Sequence, residues 1–468
     1  MECIRYRQNI VLMLLAMAGS LASCNKDAFL DKKPNTQLVV PTTLTDFQTL
    51  LDDQIVMQET PELGELSSDN YYMLYTTWTN LSAKSQNAYI WAKDIYGGQG
   101  EIPDWNLPYQ QVFYANVVLD GLKKIKVDES NRQQWNTLQG SALFIRAYAF
   151  YNLSQLFAPV YNAGTAAQDT GIVLRLSSDV NLKSVRVNVQ QTYDQILSDL
   201  KQADSLLPDT ISTQHLNRPS RPAAKAMLAR VYLSMQMYGQ AESYANSCLQ
   251  LYSTLIDYRT ISFATNPIIQ LSNPETLYQS VLYSSSQVLL GGGFKSTCII
   301  DSNLYASYAT GDLRRAVFYR TGSLGRSYLK ASYSAKAACF SGLAVDEVYL
   351  IRAECAARVG NKDAALSDLN LLLQHRWSDT VVFNPITATS APAALDSVLV
   401  ERRKELAFRG LRWTDLRRLN KEGANITISH GLNGQVYRLP PSSPNYIFNL
   451  PPDVPIQQYD DRVTINPN

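Results

Sequence analysis

The chain has 468 residues, of which 46% are hydrophobic and 18% charged, and this hydrophobic fraction excludes a wholly disordered chain. The length allows about three domains or one large α-rich body. Lys and Arg number 42 against 41 Asp and Glu, so the chain lacks the basic field of a nonspecific nucleic-acid binder. The sequence therefore predicts no nucleic-acid partner.

Residues 1–23 have the pattern of a secretory leader. Two arginines precede an uncharged apolar run at residues 10–18, which is too short to cross a bilayer core of about 30 Å as a helix. Small residues come directly before Cys24, and this arrangement resembles the lipobox of bacterial lipoproteins. The resemblance implies cleavage before Cys24 and its lipidation, which would anchor the protein to a membrane. An ordinary signal peptide with an incidental cysteine is the alternative.

Helical periodicity dominates the chain from Trp105 onward. Two segments repeat one pattern, in which a pair of alanines twelve residues apart flanks a turn: Ala229 with Ala241, and Ala353 with Ala365. Small residues where paired helices cross resemble tetratricopeptide helix hairpins, and such hairpins must stack to bury their apolar faces. The sequence therefore predicts a mainly α fold, in which tetratricopeptide-like hairpins form a right-handed superhelical scaffold.

Two regions of the chain depart from this helical pattern. Residues 24–60 have little periodicity and are interpreted as an extended tether. Residues 253–342 are rich in Gly, Ser and Tyr, and long irregular segments in compact proteins are usually functional. They are predicted to be a loop-rich insertion that forms the ligand face. Within it, Cys298 and Cys339 could form a disulfide in an oxidising compartment, and the sequence leaves this pairing open.

Four segments of the chain carry a family resemblance: residues 142–151, 223–233, 347–354 and, most specifically, 401–419, which read ERRKELAFRGLRWTDLRRL. They resemble the SusD/RagB family of outer-membrane nutrient-binding lipoproteins of Bacteroidetes, over most of residues 24–468. The resemblance divides the mature chain into an N-terminal SusD-like region at 61–252, the insertion, and a C-terminal SusD/RagB region at 343–468. It also implies a lipid-anchored protein exposed on the cell surface.

Residues 401–419 hold an excess of arginines, which has two possible interpretations. One is a phosphate or nucleic-acid patch. The other is a set of ion pairs between packed helices, with Trp413 and Phe408 as core anchors, and the neutral whole chain favours it. On this interpretation, replacing Arg412 should lower stability more than ligand affinity.

A ligand is expected where aromatic and polar residues cluster after the tether and within the insertion. Flat rings can stack on the apolar faces of sugars while Asp and Asn side chains bond their hydroxyls. The predicted ligand-binding residues are Asp69, Tyr71, Tyr75, Trp78, Trp91, Tyr96, Tyr283 and Tyr305. Burial in the core is the alternative for several of them, above all for Trp91, which alternates with small and apolar residues. The same residue types could also bind a peptide backbone.

The sequence predicts a binding protein without enzymatic activity, cofactor or metal site. No HExxH, GxSxG, Walker A or EF-hand motif occurs, although a carboxylate pair such as Asp69 and Asp94 is not excluded by sequence. The family resemblance implies capture of oligosaccharides and their delivery to a SusC-like TonB-dependent transporter. A peptide receptor of the same family and a helical-repeat scaffold for protein partners are the alternatives.

Overall fold

A computed structural model describes residues 41–98, 102–183, 185–262, 269–284, 288–289, 298–330 and 332–450. The described residues from Thr42 onward belong to one compact unit. The predicted leader and the lipidation site Cys24 lie outside the described residues. Among those that are described, no helix is both long enough and apolar enough to cross a membrane.

Helices supply most of the regular structure. In chain order they are α1 (Leu44–Leu51), α2 (Gln54–Met57), α3 (Leu63–Leu66), α4 (Tyr75–Trp78), α5 (Ala83–Tyr89), α6 (Pro103–Leu122), α7 (Arg132–Phe157), α8 (Val189–Leu206), α9 (Arg221–Ser234), α10 (Tyr238–Leu251), α11 (Ser302–Ala306), α12 (Arg314–Phe318), α13 (Val345–Arg358), α14 (Lys362–Gln374), α15 (Ala391–Glu405) and α16 (Arg412–Lys421). Their starts follow local sequence signals. Ser220 and Ser390, for example, each cap a helix whose second residue is proline.

The two predicted helix hairpins are present. Helix α9 packs against α10, and α13 packs against α14, with only short turns between the members of each pair. Gly360 closes the second turn with a φ of +90°, a backbone conformation that glycine adopts without strain. Helices α6, α7 and α8 also pack on one another in chain order. The prediction of a mainly α, tetratricopeptide-like architecture is confirmed.

Short strands brace the helices. In chain order they are β1 (Glu59–Thr60), β2 (Tyr71–Tyr72), β3 (Thr170–Val173), β4 (Arg186–Asn188), β5 (Thr276–Tyr278), β6 (Val281–Leu282), β7 (Ile299–Ile300), β8 (Tyr319–Thr321), β9 (Ser327–Leu329), β10 (Leu343–Ala344), β11 (Ile428–Leu432) and β12 (Gln435–Leu439). Four of them form one sheet in the order β2-β7-β9-β8, which joins the region after the tether to the insertion.

The prediction of an extended tether is wrong for residues 44–57. Residues 44–57 form α1 and α2, and a side chain of the first helix, Phe47, is 1% exposed. A capping box between Thr43 and Asp46 starts α1, because each side chain bonds the other residue's backbone N–H. The segment lacks a long periodic pattern because both helices are short, and sequence reasoning missed them for that reason.

The arginine-rich segment 401–419 makes ion pairs within the fold, as predicted. Asp415 bonds Arg402 and Arg418, and Arg418 also bonds Glu354 of α13 through both carboxylate oxygens. Phe408 and Trp413 lie in the core, with 2% and 1% of their surface exposed. These contacts hold α15 and α16 against the second hairpin.

A second group of buried charges ties the insertion to these helices. The Arg314 side chain is fully buried and bonds Asp312, Glu401 and Glu405. Arg376 is equally buried and bonds Glu405 and Glu275 at 2.8 and 2.7 Å. We call these six residues the buried charge network. Because the charges are paired and hydrogen-bonded, their burial is tolerated, whereas a single unpaired charge there would be costly.

The four cysteines among the described residues are buried and form no disulfide: Cys248, Cys298, Cys339 and Cys355. Burial raises the pKa of Cys298 and Cys339 well above the ordinary thiol value. The pairing of these two cysteines that the sequence left open is therefore not formed in this structure.

Candidate functional site

Two of the predicted ligand-binding aromatics lie side by side at the surface. Tyr75 and Trp78 occupy the first and last positions of α4, and a spacing of three residues places both side chains on one face of a helical turn. Their rings stack, with centroids 5.9 Å apart and planes inclined by 23°. Tyr75 is 43% exposed and Trp78 is half-buried. We call this pair the Tyr75–Trp78 platform.

Backbone hydrogen bonds fix the platform in place. The indole N–H of Trp78 donates to the carbonyl of Gln86 in α5 at 3.1 Å, and the Gln86 amide donates in turn to the carbonyl of Leu81 at 2.8 Å. Asn80 donates to the carbonyl of Thr76 at 2.7 Å. The Trp78 ring is therefore held in one orientation before any ligand arrives, which lowers the entropy cost of binding.

Tyr71 and Trp91, which were predicted to bind ligand, instead lie in the core. They are 2% and 4% exposed. The Tyr71 hydroxyl donates to the carbonyl of Leu66, and the Trp91 indole donates to the carbonyl of Ser67. His430 of β11 stacks on Trp91 with ring centroids 4.5 Å apart. Their polar atoms and ring faces are thus used inside the protein, and the prediction is wrong for both residues.

The same buried cluster supports the segment that leads into the platform. Tyr89 stacks on His430 with ring centroids 3.9 Å apart, and its hydroxyl accepts a hydrogen bond from the backbone N–H of Met73. Burial lowers the pKa of His430, so its neutral form is favoured. Tyr96 is also buried, at 1% exposure, and its prediction as a ligand residue is wrong for the same reason.

Asp69 holds the platform's segment to the C-terminal helices. Arg412 bonds both of its carboxylate oxygens, at 2.7 and 2.9 Å, and Arg403 approaches the same carboxylate at 3.1 Å. Burial by itself raises the pKa of Asp69, but the charge and hydrogen bonds of Arg412 and the charge of Arg403 outweigh it and lower the pKa to about 2. Both oxygens of Asp69 are engaged by arginines in this structure, and its role as a sugar-hydroxyl partner stays a prediction.

Asp69→Asn should lower the free energy of unfolding at pH 7 by about 2 kcal/mol. An aspartate in the unfolded chain titrates near pH 3.9, so the native carboxylate contributes stability above that pH and loses it as the pH falls through about 2. The difference between wild type and variant should therefore shrink to roughly half at pH 3. Urea unfolding at both pH values measures it.

Asp396→Asn is the matched control, because this aspartate is exposed on α15. It should change stability by less than about 0.5 kcal/mol at either pH. Arg412→Gln should lower stability more than ligand affinity. A stability difference for Asp69→Asn that stays constant from pH 7 to pH 3 would contradict the assigned ion pair.

Tyr283 and Tyr305 are half-buried and lie elsewhere. Among the described residues, no hydrogen bond or ring contact joins either one to Tyr75 or Trp78. Tyr305 lies on α11, where its hydroxyl bonds Thr321 at 3.1 Å. Burial alone raises the pKa of Tyr305, but hydrogen bonds from Thr321, Arg315 and Ser327 outweigh it and lower the pKa to about 8. Among the described residues, Tyr75 and Trp78 are therefore the predicted ligand residues that the structure brings together at the surface.

A cavity of about 40 Å³ lies deeper in the fold, between α7 and the start of α16. Its lining includes Asn152, Arg409 and Trp413. It has room for two or three water molecules, which is too small for a sugar. In the part of the chain that the structure describes, no three His, Cys, Asp or Glu side chains group together in a way that could hold a metal ion.

Sequence reasoning missed the residues that support the platform. Arg403 and Arg412 were predicted to make ion pairs, but their partner Asp69 lies more than 330 positions earlier in the chain. Sequence reasoning also missed His430. No local pattern marks it as the partner of Tyr89 and Trp91, because those contacts exist only in the folded chain.

Comparisons with known proteins agree with this architecture. Residues 28–233 match the family SusD-like_3, described as starch-binding associating with outer membrane. Residues 346–449 match SusD_RagB, described as the SusD family. A "SusD-like protein P2" from Formosa agariphila is 24% identical over 408 residues, which cover 74% of this chain and 78% of that protein.

Solved structures share the fold at low sequence identity. A crystal structure from Bacteroides vulgatus ATCC 8482 matches with a TM-score of 0.74 and 21% identity, covering 92% of this chain and 99% of the other. A laminarin-binding SusD-like protein matches with a TM-score of 0.62 and 18% identity, covering 87% and 96%. The two family matches span both the N-terminal and the C-terminal helical regions, and the chain therefore belongs to the SusD/RagB family.

Proposed function

We propose that this protein is a cell-surface lipoprotein that captures oligosaccharides and delivers them to a SusC-like TonB-dependent outer-membrane transporter. The observation that carries the proposal is the Tyr75–Trp78 platform, a pair of stacked rings at the surface on a braced helical turn. Flat rings bind the C–H faces of sugars, and the exposed Thr76, Thr79 and Asn80 beside them are suited to bonding hydroxyls.

Membership of the SusD/RagB family supports the proposal, since one matching family is described as starch-binding and outer-membrane associated. A laminarin-binding relative with the same fold supports a glycan over a peptide as the cargo. Handover to a transporter requires only modest affinity and fast release, so no chemical step is needed. We assign the protein no enzymatic role.

Attachment to the outer membrane through Cys24 completes this proposal. Two or three acyl chains on one cysteine give stable anchoring, where a single chain would not. Mass spectrometry of the mature N-terminus tests it, and an unmodified Cys24 in membrane-extracted protein would contradict it.

Trp78→Ala should weaken glycan binding by about tenfold or more. Truncation of a half-buried tryptophan that packs against a ligand commonly costs over about 1 kcal/mol of binding free energy. Isothermal titration of the purified full-length protein against laminarin and starch oligosaccharides measures the affinity. A peptide library screened in parallel separates the two cargo classes.

Trp377→Ala is the matched control for Trp78→Ala. Trp377 is also half-buried, donates its indole N–H to a backbone carbonyl, that of Val381, and contacts one aromatic ring, that of Phe383. Its truncation should leave glycan affinity unchanged. Equal losses of glycan affinity in both variants would indicate general destabilisation. Unchanged glycan affinity in Trp78→Ala would show that the platform is not the binding site.

A further inference from the structure

The four-stranded sheet places one row of side chains across all its strands. Tyr72 of β2 lies directly opposite Ile299 of β7, Ile299 opposite Tyr328 of β9, and Tyr328 opposite Arg320 of β8. Residues directly opposite one another in antiparallel strands point to the same face of the sheet. We call Tyr72, Ile299, Tyr328 and Arg320 the outer row.

The other face of this sheet packs on the protein core. Tyr71, Ile300, Tyr319 and Leu329 precede or follow the outer-row residues along their strands, and each is less than 5% exposed. In the outer row, Tyr72, Tyr328 and Arg320 are all partly exposed, and Ile299 alone is buried. Three of the four outer-row side chains therefore reach the surface, on the face of the sheet opposite the core.

The chain around β8 and β9 is strongly basic, although the whole protein is neutral. Between residues 302 and 345 the single acidic residue is Asp312, which is buried in the ion pair with Arg314. The cations of the same stretch are Arg314, Arg315, Arg320, Arg326, Lys330 and Lys336. Alternation along the strand places Arg326, two residues before Tyr328, on the outer-row face. This stretch of chain thus carries a net positive charge, since it holds six cations and one carboxylate.

Two of these arginines stack on tyrosines. The guanidinium carbon of Arg320 lies 5.3 Å from the centroid of the Tyr328 ring, and that of Arg315 lies 4.5 Å from the centroid of the Tyr305 ring. Stacking uses the flat face of a guanidinium, whereas carboxylates and sulfates are bound through its N–H edge. A ring beneath an arginine therefore orients it for an anion while still offering apolar surface to a sugar.

We propose that the outer row, with Arg326 at its end, binds the anionic groups of a charged glycan, namely uronate carboxylates or sulfate esters. Tyr72 lies three residues before Tyr75, so the row begins beside the Tyr75–Trp78 platform. It extends across three strand spacings, about 14 Å. This inference rests on the proposed function, because it names the class of glycan that the same site selects.

The test compares full-length protein on two pairs of polymers that differ only in charge: polygalacturonate against its methyl ester, and dextran sulfate against dextran. We expect the charged member to bind about tenfold tighter in at least one pair, and this preference should decrease as NaCl is added. Preference in the first pair identifies carboxylates, and preference in the second identifies sulfates. No preference in either pair overturns the proposal.

The double variant Arg320→Gln with Arg326→Gln should reduce the ratio of charged to neutral affinity by about tenfold. Arg132→Gln, which removes one exposed cation at the start of α7, should leave the ratio unchanged. If the glutamine variant does not fold, the corresponding lysine variant keeps the charge and loses the forked geometry, and it should lower the ratio less. A ratio that no outer-row variant alters overturns the proposal.

Poly-glutamate provides the control for charge without sugar. Equal affinity for poly-glutamate and for the charged glycans would show simple polyanion binding and would overturn the proposal. The outcome also separates the two proposals. If neutral glycans bind in a way that depends on Trp78 and the protein shows no preference for charged glycans, the proposed function stands and the outer-row proposal fails. If the protein prefers charged glycans and Trp78→Ala does not change that binding, the outer-row proposal stands and the platform is not the binding site.

Discussion

Arg314→Met should lower the free energy of unfolding by about 3–5 kcal/mol. The guanidinium of Arg314 is fully buried and bonds three carboxylates, on Asp312, Glu401 and Glu405. Its removal would leave these negative charges together in the core, with Lys404 and Arg376 as the remaining partners. Urea unfolding followed by circular dichroism measures the loss.

Arg315→Met is the adjacent control, since this neighbouring arginine is exposed and stacks on one tyrosine. It should cost less than about 1 kcal/mol. Similar losses for both variants would show that the buried charge network does not have the role assigned to it here. A larger loss at position 314 would also confirm that the network joins the insertion to α15.

Trp413→Ala should lower the free energy of unfolding by about 3–5 kcal/mol, because it removes a large side chain from a packed core. Trp413 is 1% exposed. Its ring centroid lies 5.0 Å from that of Phe448, on which it stacks, and 4.9 Å from that of Tyr446. A methyl group built on Gly64 would meet the Cβ of Trp413 at 3.1 Å, so the Gly64 backbone packs closely against this side of Trp413. Thermal and urea unfolding both measure the effect.

Trp413→Phe should lose less than the alanine variant, since it keeps a ring in the same space. Comparison with Trp78→Ala separates stability from binding. We expect the Trp413 variant to affect stability, and the Trp78 variant to affect glycan affinity in a protein that stays folded. A Trp413→Ala protein as stable as wild type would contradict the packing described for α16.

The architecture was largely predictable from the sequence. Paired alanines around short turns predicted the α9–α10 and α13–α14 hairpins, because close helix crossings need small side chains wherever they occur. The ion-pairing role of residues 401–419 was also predictable from the neutral chain. The helices α1 and α2 were not, because segments this short give no clear periodicity.

The candidate site was only partly predictable. Composition identified an aromatic-rich segment, but it does not separate Trp78, which the structure places at the surface, from Trp91, which it buries. The difference arises from His430, a residue more than 330 positions later in the chain that stacks on the Trp91 ring. Asp69 is a similar case, since its partner Arg412 comes from the C-terminal region.

By itself, the sequence determined the fold class, the two helix hairpins and the aromatic-rich segment that carries the Tyr75–Trp78 pair, because these depend on local periodicity and composition. The family followed from the resemblance of four segments, above all residues 401–419. Only the tertiary structure decided which rings are exposed, which charges are neutralised and which cations share a face with them. Those properties depend on contacts between distant segments. Strand pairing in particular places Tyr72 and Arg320 in one row, although no spacing in the sequence relates them.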